Sequence, residues 1–298
     1  MYSRADLHCH STVSDGVLDP ETLARRAHAS GVDLWSLTDH DEVSGVAQAR
    51  QTARELGMAF VAGVEISVTW SGRTVHVVGL GIDENHQLLL DGLASTRSGR
   101  VDRGRLMGQK LAALGIPGAF EGALALAGED HLLSRTHFAR YLVGQGYCPT
   151  MQAVFDRYLG DDGPAYVPST WADLGDAVDW IVKSGGVAVL AHPGRYKYSE
   201  LQFDTLFRSF KDCGGLAIEV NTGSHQPHEY ARYAQIARNY GFLASCGSDF
   251  HGPHESRELG SVAPLPADLT PVWQAISPDR IDVGLKITAG HASFTLRS

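Results

Sequence analysis

The stretch Ala5-Asp6-Leu7-His8-Cys9-His10, then a helical pattern over Asp19–Ser30, then Val32-Asp33-Leu34-Trp35-Ser36-Leu37-Thr38-Asp39-His40, sets the reading of the fold. Each quoted run is short and largely apolar, and each closes on histidine. A second helical pattern, Val43–Leu56, follows. Alternation of short apolar runs with amphipathic stretches is the signature of βα units wound around a parallel sheet. Further strands are expected at Phe60–Ile66, Thr74–Leu80, Val187–Ala191, Leu216–Asn221 and Leu243–Ser248, and helices at Trp171–Ser184, Ser199–Cys213 and Pro227–Tyr240. Seven or eight such strands predict an α/β fold closed, or nearly closed, into a barrel.

One interval breaks the rhythm. From residue 85 to 168 the sequence shows helical periodicity and glycine punctuation but no convincing strand. The barrel is therefore assigned to residues 1–84 and 169–298, and residues 85–168 to a helical insertion expected to act as a substrate lid. Arg97, Arg100, Arg103, Arg105, Arg135 and Arg140 make this insertion locally basic, although any one of them also fits a solvated helix face.

Composition narrows the field of functions. The 298 residues carry ample apolar content for a large core, and a net charge of -9 argues against a continuous basic surface gripping long duplex nucleic acid. A small anionic ligand held at a local positive site stays compatible with that charge. Cys9, Cys148, Cys213 and Cys246 lack paired spacing and are read as reduced, buried thiols. The opening MYSRADLHCHS lacks a signal-like apolar run, and nowhere does the chain approach the roughly 20 apolar residues of a membrane span. No membrane association is expected, and the expected compartment is the cytoplasm.

Histidines and carboxylates gather at the expected strand ends: His8 and His10, His40, Glu65, His76, His192, then Asp249 and His251, with Asp15 in the loop after the first strand. C-terminal strand ends of a parallel barrel share one rim, so these residues should meet in space. In His8-Cys9-His10 the period of two puts both imidazoles on one side, with Cys9 opposite, and Asp249-Phe250-His251 repeats that geometry. Eight of the fourteen histidines lie outside this set, so position rather than residue type carries the argument. Burying so many ionisable groups together without cations would be costly. Mixed imidazole and carboxylate ligation suits about two to three divalent cations of the Mn2+, Fe2+ or Zn2+ kind. Mn2+ is the expected ion, with Fe2+, Zn2+ or Mg2+ as alternatives. Glu65, central in the order, is the natural bridge. Three such cations against Asp15, Glu65 and Asp249 leave a local charge of about +3, which calls for an anionic substrate.

With these residues in view, the sequence resembles the PHP (polymerase and histidinol phosphatase) family. The resemblance rests on His8-x-His10 with Asp15, Thr38-Asp39-His40, Glu65, His76, His192-Pro193 and Ser248-Asp249-x-His251. It implies a distorted (β/α)7 TIM-like barrel with a trinuclear site. His8, His10, Glu65 and Asp249 would hold one ion, Glu65, His76 and His192 a second, and Asp15, His40 and His251 a third. Asp15, His40, Glu65 and Asp249 would be the catalytic members. The segment Ser134-Arg135-Thr136-His137-Phe138-Ala139-Arg140 further resembles the bacterial branch acting on 3′,5′-bisphosphorylated nucleosides and, from the 5′ end, on short RNA.

On this reading Arg135 offers a phosphate its planar fork, with Ser134 and His137 completing the pocket. Arg103 and Arg105, on the same insertion, and Asn221 and His225, after a later strand, are further expected substrate contacts. The expected reaction is cation-assisted removal of the 3′-phosphate from a nucleoside 3′,5′-bisphosphate, leaving the 5′-monophosphate. Alternatives are a 5′-3′ exoribonuclease on short RNA, a histidinol phosphate phosphatase, a C–N hydrolase, and a metal-dependent binding module without turnover.

Overall fold

Seven strands follow one another around the sheet in chain order: β1 (Ala5–Asp6), β2 (Leu34–Leu37), β3 (Ala59–Trp70), β4 (Arg73–Leu80), β5 (Val187–Leu190), β6 (Ala217–Thr222) and β7 (Leu243–Gly247). A short β8 (Ile281–Asp282) pairs with the start of β3. The computed structural model describes residues 2–127, 132–168 and 171–283, so the final stretch assigned to the barrel, 284–298, lies outside the described residues. The last strand meets the first: Leu7 N donates to Cys246 O at 3.0 Å, and beyond the strand ends Asp249 N donates to His8 O at 2.8 Å. A Cβ at Gly247 would collide with His8, so this seam needs glycine.

Strands β1–β3 and β5–β7 pair in parallel, β4 runs antiparallel to both β3 and β5, and the short β8 is antiparallel to β3. This corrects the expectation of a uniformly parallel sheet. The cause is local. Ser71 and Gly72 join β3 to β4 in a two-residue turn with φ of 49° and 73°, the positive values a tight hairpin demands. His76 consequently reaches the rim from near the start of its strand, not its end.

Two helices open the barrel wall, α1 (Pro20–Ala29) and α2 (Val46–Glu55). Asp19 caps α1 by accepting from Thr22 N at 2.9 Å, and proline occupies the first turn, where no amide donor is missed. The insertion contributes α3 (Gln87–Arg97), α4 (Arg100–Ala113), α5 (Ala119–Ala127), α6 (Arg135–Gly144) and α7 (Met151–Val154), the last running into a π-helical turn over Phe155–Leu159. No strand lies between residues 85 and 168 among the described residues. Helices α8 (Leu174–Lys183), α9 (Glu200–Asp212) and α10 (Pro227–Tyr240) complete the wall.

Alternation along the strands sorts the core. On β3, Phe60, Val64 and Ile66 pack outward with Leu23, Leu206 and Phe207 of the helices. Ala59 and Val61 face the other way, clustering with Leu34, Val78, Leu80 and Val189. Met107, Leu111, Ala123, Leu133, Phe138, Leu142 and Leu159 form a separate core within the insertion. Leu89 and Leu93 of α3 belong instead to the barrel core, and Gly92 lets α3 lie against Trp180 of α8. Cys9, Cys148 and Cys246 are buried thiols as expected, but Cys213 is exposed because it caps the solvent-facing end of α9.

Candidate metal centre

Glu65 stands at the centre of six imidazoles and two further carboxylates. Its Oε1 lies 2.9 Å from His76 Nδ1 and 2.9 Å from His192 Nε2. Its Oε2 lies 2.9 Å from His40 Nδ1 and 3.3 Å from both His8 Nε2 and His10 Nε2. Asp249 Oδ1 approaches His10 Nε2 at 3.4 Å and His8 Nε2 at 3.6 Å, while Asp15 Oδ1 is 3.3 Å from His251 Nε2. All nine expected ligands therefore meet in one place. His40 faces two ways, with Nδ1 to Glu65 and Nε2 to Asp15 at 3.9 Å, so it belongs to two of the groupings close enough to share an ion. Cys9 points away, accepting from Trp35 Nε1, as the period of two requires.

A second layer holds these ligands. Glu219, inward on β6, takes His8 Nδ1 at 2.8 Å with one oxygen and His192 N at 2.6 Å with the other. Ser224 Oγ donates to Asp249 Oδ2 at 2.6 Å, and Arg195 Nη1 lies 3.1 Å from the same oxygen. Ser134 Oγ donates to Asp15 Oδ2 at 2.9 Å. His192 and Asp249 have φ of 26° and 53°, backbone that side chains adopt at some cost and that surrounding contacts must hold in place.

Protonation follows from burial and charge. Burial, with His251 and His40 nearby, pulls His10 down to about 3, and burial beside Arg195 does the same to His192. Both rings stay neutral at physiological pH, the state a ligating imidazole requires. His251 rises to about 9, since the penalty of burial is outweighed by Asp15 and Asp249. Glu65 and Asp249 sit well below the usual carboxylate range despite burial, held there by the surrounding histidines. Asp15 Oδ1, Glu65 Oε2, Asp249 Oδ1 and His40 Nδ1 are buried without a hydrogen-bond partner. Buried carboxylate oxygens and a ring nitrogen left without hydrogen-bond partners in the midst of imidazoles are the donor set a cation needs, so the residues fit divalent metal.

A cavity of about 720 Å3 opens beside the centre, reached by His76, His192, Asp249 and His251. Arg135 lines it, with Nη1 3.0 Å from Asp161 Oδ1. Arg73, Arg195, Lys197 and Arg257 also line it, as do the rings of Phe155, Tyr196 and Tyr198. The other expected substrate contacts stand elsewhere. Ser134 and His137 form the capping box of α6, and their polar groups serve Asp15 and the helix end rather than the cavity wall. Arg105 is exposed on α4 and pairs with Asp102, whereas Arg103 packs over Trp171. Asn221 spends its amide on the carbonyls of Ala263 and Pro264, and His225 is buried on Tyr233 with Nε2 accepting from Gly194 N. None of these six residues lines the cavity, and Asn221, His225, Ser134 and His137 have hydrogen-bond partners within the fold.

Glu219 and Arg195 escaped the sequence reading. Alternation in the expected strand Leu216–Asn221 could have flagged Glu219, a carboxylate on the inward side of a barrel strand. Arg195, two residues beyond His192-Pro193, carried only proximity as a signal.

Comparison with known proteins agrees with this geometry. The model of the PHP domain family matches residues 6–223. The 3′,5′-nucleoside bisphosphate phosphatase of Chromobacterium violaceum is 46% identical over 91% of this chain and 95% of its own. The 5′-3′ exoribonuclease Rnm of Salmonella typhimurium is 44% identical over 90% of this chain and 92% of its own. Among solved structures, a Chromobacterium violaceum protein described as an amidohydrolase, with sulfate bound and no metal, superposes with a TM-score of 0.92 at 44% identity, covering 95% of this chain and 99% of that one. Among the described residues no helix is long and apolar enough to cross a membrane.

Proposed function

The chain belongs to the PHP domain family, and from that premise we propose that it is a metal-dependent phosphoesterase releasing the 3′-phosphate of nucleoside 3′,5′-bisphosphates. The observation that carries the reading is Glu65: one carboxylate approached by five imidazoles within 3.3 Å, beside a cavity whose lining includes Arg73, Arg135, Arg195 and Arg257. When bound, divalent cations supply Lewis acidity to the phosphoryl oxygens and lower the pKa of water. The nine residues would hold those ions, Mn2+ foremost, with Glu65 in reach of the most imidazoles. Glu219 fixes His8 in the tautomer that leaves Nε2 free to ligate.

Arg195 and Ser224 orient Asp249, and Arg195, half-exposed toward the cavity, also presents charge to the scissile phosphate. Arg135 takes the distal 5′-phosphate, so remote binding energy is spent on placing the 3′-phosphorus. Tyr198 and Phe155 give a nucleobase aromatic surface on the same walls. In this reading the insertion is the lid that supplies Arg135 and Phe155. A cavity of about 720 Å3 falls within the roughly 300–1,000 Å3 typical of small-ligand sites. The exoribonuclease reading breaks the same bond with a 3′-ester in place of the 3′-phosphate. The relative from Salmonella typhimurium supports keeping it second.

The test is phosphate release from adenosine 3′,5′-bisphosphate, histidinol phosphate and a 5′-phosphorylated oligoribonucleotide, with metal content measured on the same protein. The bisphosphate should be the best substrate and adenosine 5′-monophosphate its product, from protein holding about two to three equivalents of metal. Turnover by metal-free protein, or accumulation of the 3′-monophosphate, would refute the proposal.

A further inference from the structure

Asp41 follows His40 directly, yet it ligates nothing in the scheme above. It is fully buried, and its φ of 51° is unusual for a residue other than glycine. Its carboxylate accepts from Ser67 N at 2.7 Å and Ser67 Oγ at 2.9 Å, and it pairs with Arg100 Nη2. Asp41 N donates to Glu65 O at 2.8 Å, and Glu65 N to Asp39 O at 3.1 Å. His40 and Glu65 are thus bound backbone to backbone, and the same short ladder ends on Asp41 and Ser67.

The insertion grips that ladder. Arg100 reaches Ser67 Oγ at 3.2 Å as well as Asp41, and Arg97 Nη1 donates to Asp41 O at 2.5 Å. Trp171, where the described chain resumes after the insertion, carries the guanidinium groups of Arg100 and Arg103 each 4.7 Å from its ring centre. Trp171 is itself tied to the β3–β4 hairpin by hydrogen bonds to Thr69 and Thr74. Arg97 and Arg100 therefore meet the chain one residue from His40, and Trp171 backs Arg100. Arg100 and Arg103 occupy the first turn of α4, where the helix dipole disfavours cations. Helix stability does not account for arginines at those positions, whereas a buried carboxylate beside the metal centre does.

We infer that Arg100 and Asp41 form a latch through which the seated insertion fixes the backbone of His40 and Glu65, two residues that would hold divalent cation, making Arg100 a positioning residue. The inference rests on the metal-centre reading. By linkage the coupling is reciprocal: a cation held by His40 and Glu65 tightens the grip of the insertion on the barrel.

The experiment uses the full chain and Mn2+ alone. In the parent, hydrogen exchange over residues 97–113 should slow when Mn2+ is added to the metal-free protein. Arg100→Gln and Asp41→Asn should each weaken Mn2+ binding by about tenfold to a hundredfold. Arg100→Lys should recover part of this, and the double variant should be no worse than the poorer single one, as for partners of one buried pair. Activity lost in Arg100→Gln should return at high Mn2+, a rescue that general loosening of the fold would not give. Parent protein that binds no Mn2+ would remove the metal-centre reading and the latch with it. Parent that binds Mn2+ with unchanged exchange over 97–113, or an Arg100→Gln variant with parental Mn2+ affinity, would overturn the latch alone. Should Arg100→Gln fail to fold, the exchange measurement on the parent decides.

Discussion

Replacing Glu219 by Gln probes the centre without touching a ligand. The carboxylate accepts twice, from His8 Nδ1 at 2.8 Å and from His192 N at 2.6 Å, and both groups are buried. An amide of the same shape offers one acceptor and one donor. If its oxygen keeps the His192 amide, its NH2 faces His8 Nδ1 and drives the ring to the tautomer protonated at Nε2, the atom 3.3 Å from Glu65 Oε2. If its oxygen keeps His8, two buried N–H groups confront each other at His192. The first arrangement protonates the atom that would ligate and the second leaves a buried donor without a partner, the latter at a cost of about 1–3 kcal/mol. At 1.4 kcal/mol per decade that is about fivefold to 150-fold in Mn2+ affinity, in line with the 10–100-fold typical of groups supporting metal ligands. The assay is titration of metal-free parent and Glu219→Gln protein with Mn2+, followed by kcat/KM at saturating metal, where most of the loss should be recovered. Affinity within twofold of the parent would refute the orienting role. A loss persisting at saturating metal would place Glu219 in the chemistry instead.

Two further outcomes can be measured independently. Arg135→Ala removes a charge-assisted contact of about 1.5–3 kcal/mol, so kcat/KM on adenosine 3′,5′-bisphosphate should fall by about one to two orders of magnitude. Metal content should not change, and the penalty should shrink on a substrate lacking the 5′-phosphate; equal penalties on both substrates would move Arg135 to the scissile phosphate. In metal-free protein His251 titrates near 9 and His8 is raised well above its ordinary value. Both rings hold protons at pH 7 that a cation must displace. Mn2+ affinity should therefore rise with pH until it passes about 9, with proton release at pH 7 seen by calorimetry in buffers of different ionisation enthalpy; pH-independent affinity would contradict this.

The gathering of the nine residues at one rim was legible because its logic is largely local. A His-x-His pair in extended backbone turns two groups the same way by itself, whereas Asp249 joins the cluster from backbone with a φ of 53° that its surroundings hold. Glu65 was legible from its place in an apolar strand, where an unpaired carboxylate makes little sense. Asn221 and His225 show the limit of this approach: lying after a strand places a residue near the rim but does not choose its partner, and main-chain groups brought in from residues 194, 263 and 264 took both. Ser134 was readable as a cap, but its bond to Asp15 joins residues 119 positions apart. The reversal of β4 did have a signal. Ser71-Gly72 between two β-branched runs is a hairpin turn by composition, and the regular βα rhythm around it masked it.

That reversed strand also decides where an insertion in this barrel must go. Because β4 runs down from the rim, the chain leaves Leu80 at the floor, where Asp83 N bonds to Ser184 O, and β5 must start from the same floor. Helix α3 climbs beside α8 until Arg97 meets Asp41 at the rim, and after Trp171, pinned to Thr69 and Thr74, α8 descends again. The two helices act as a riser and a downpipe, both integral to the barrel wall, and everything between them hangs over the mouth. Arg97 and Trp171 thus stand at one height, where the chain leaves the wall and where it rejoins it. The apolar core of the insertion, built from Met107, Leu111, Ala123, Leu133, Phe138 and Leu142, is separate from the one that packs the strands.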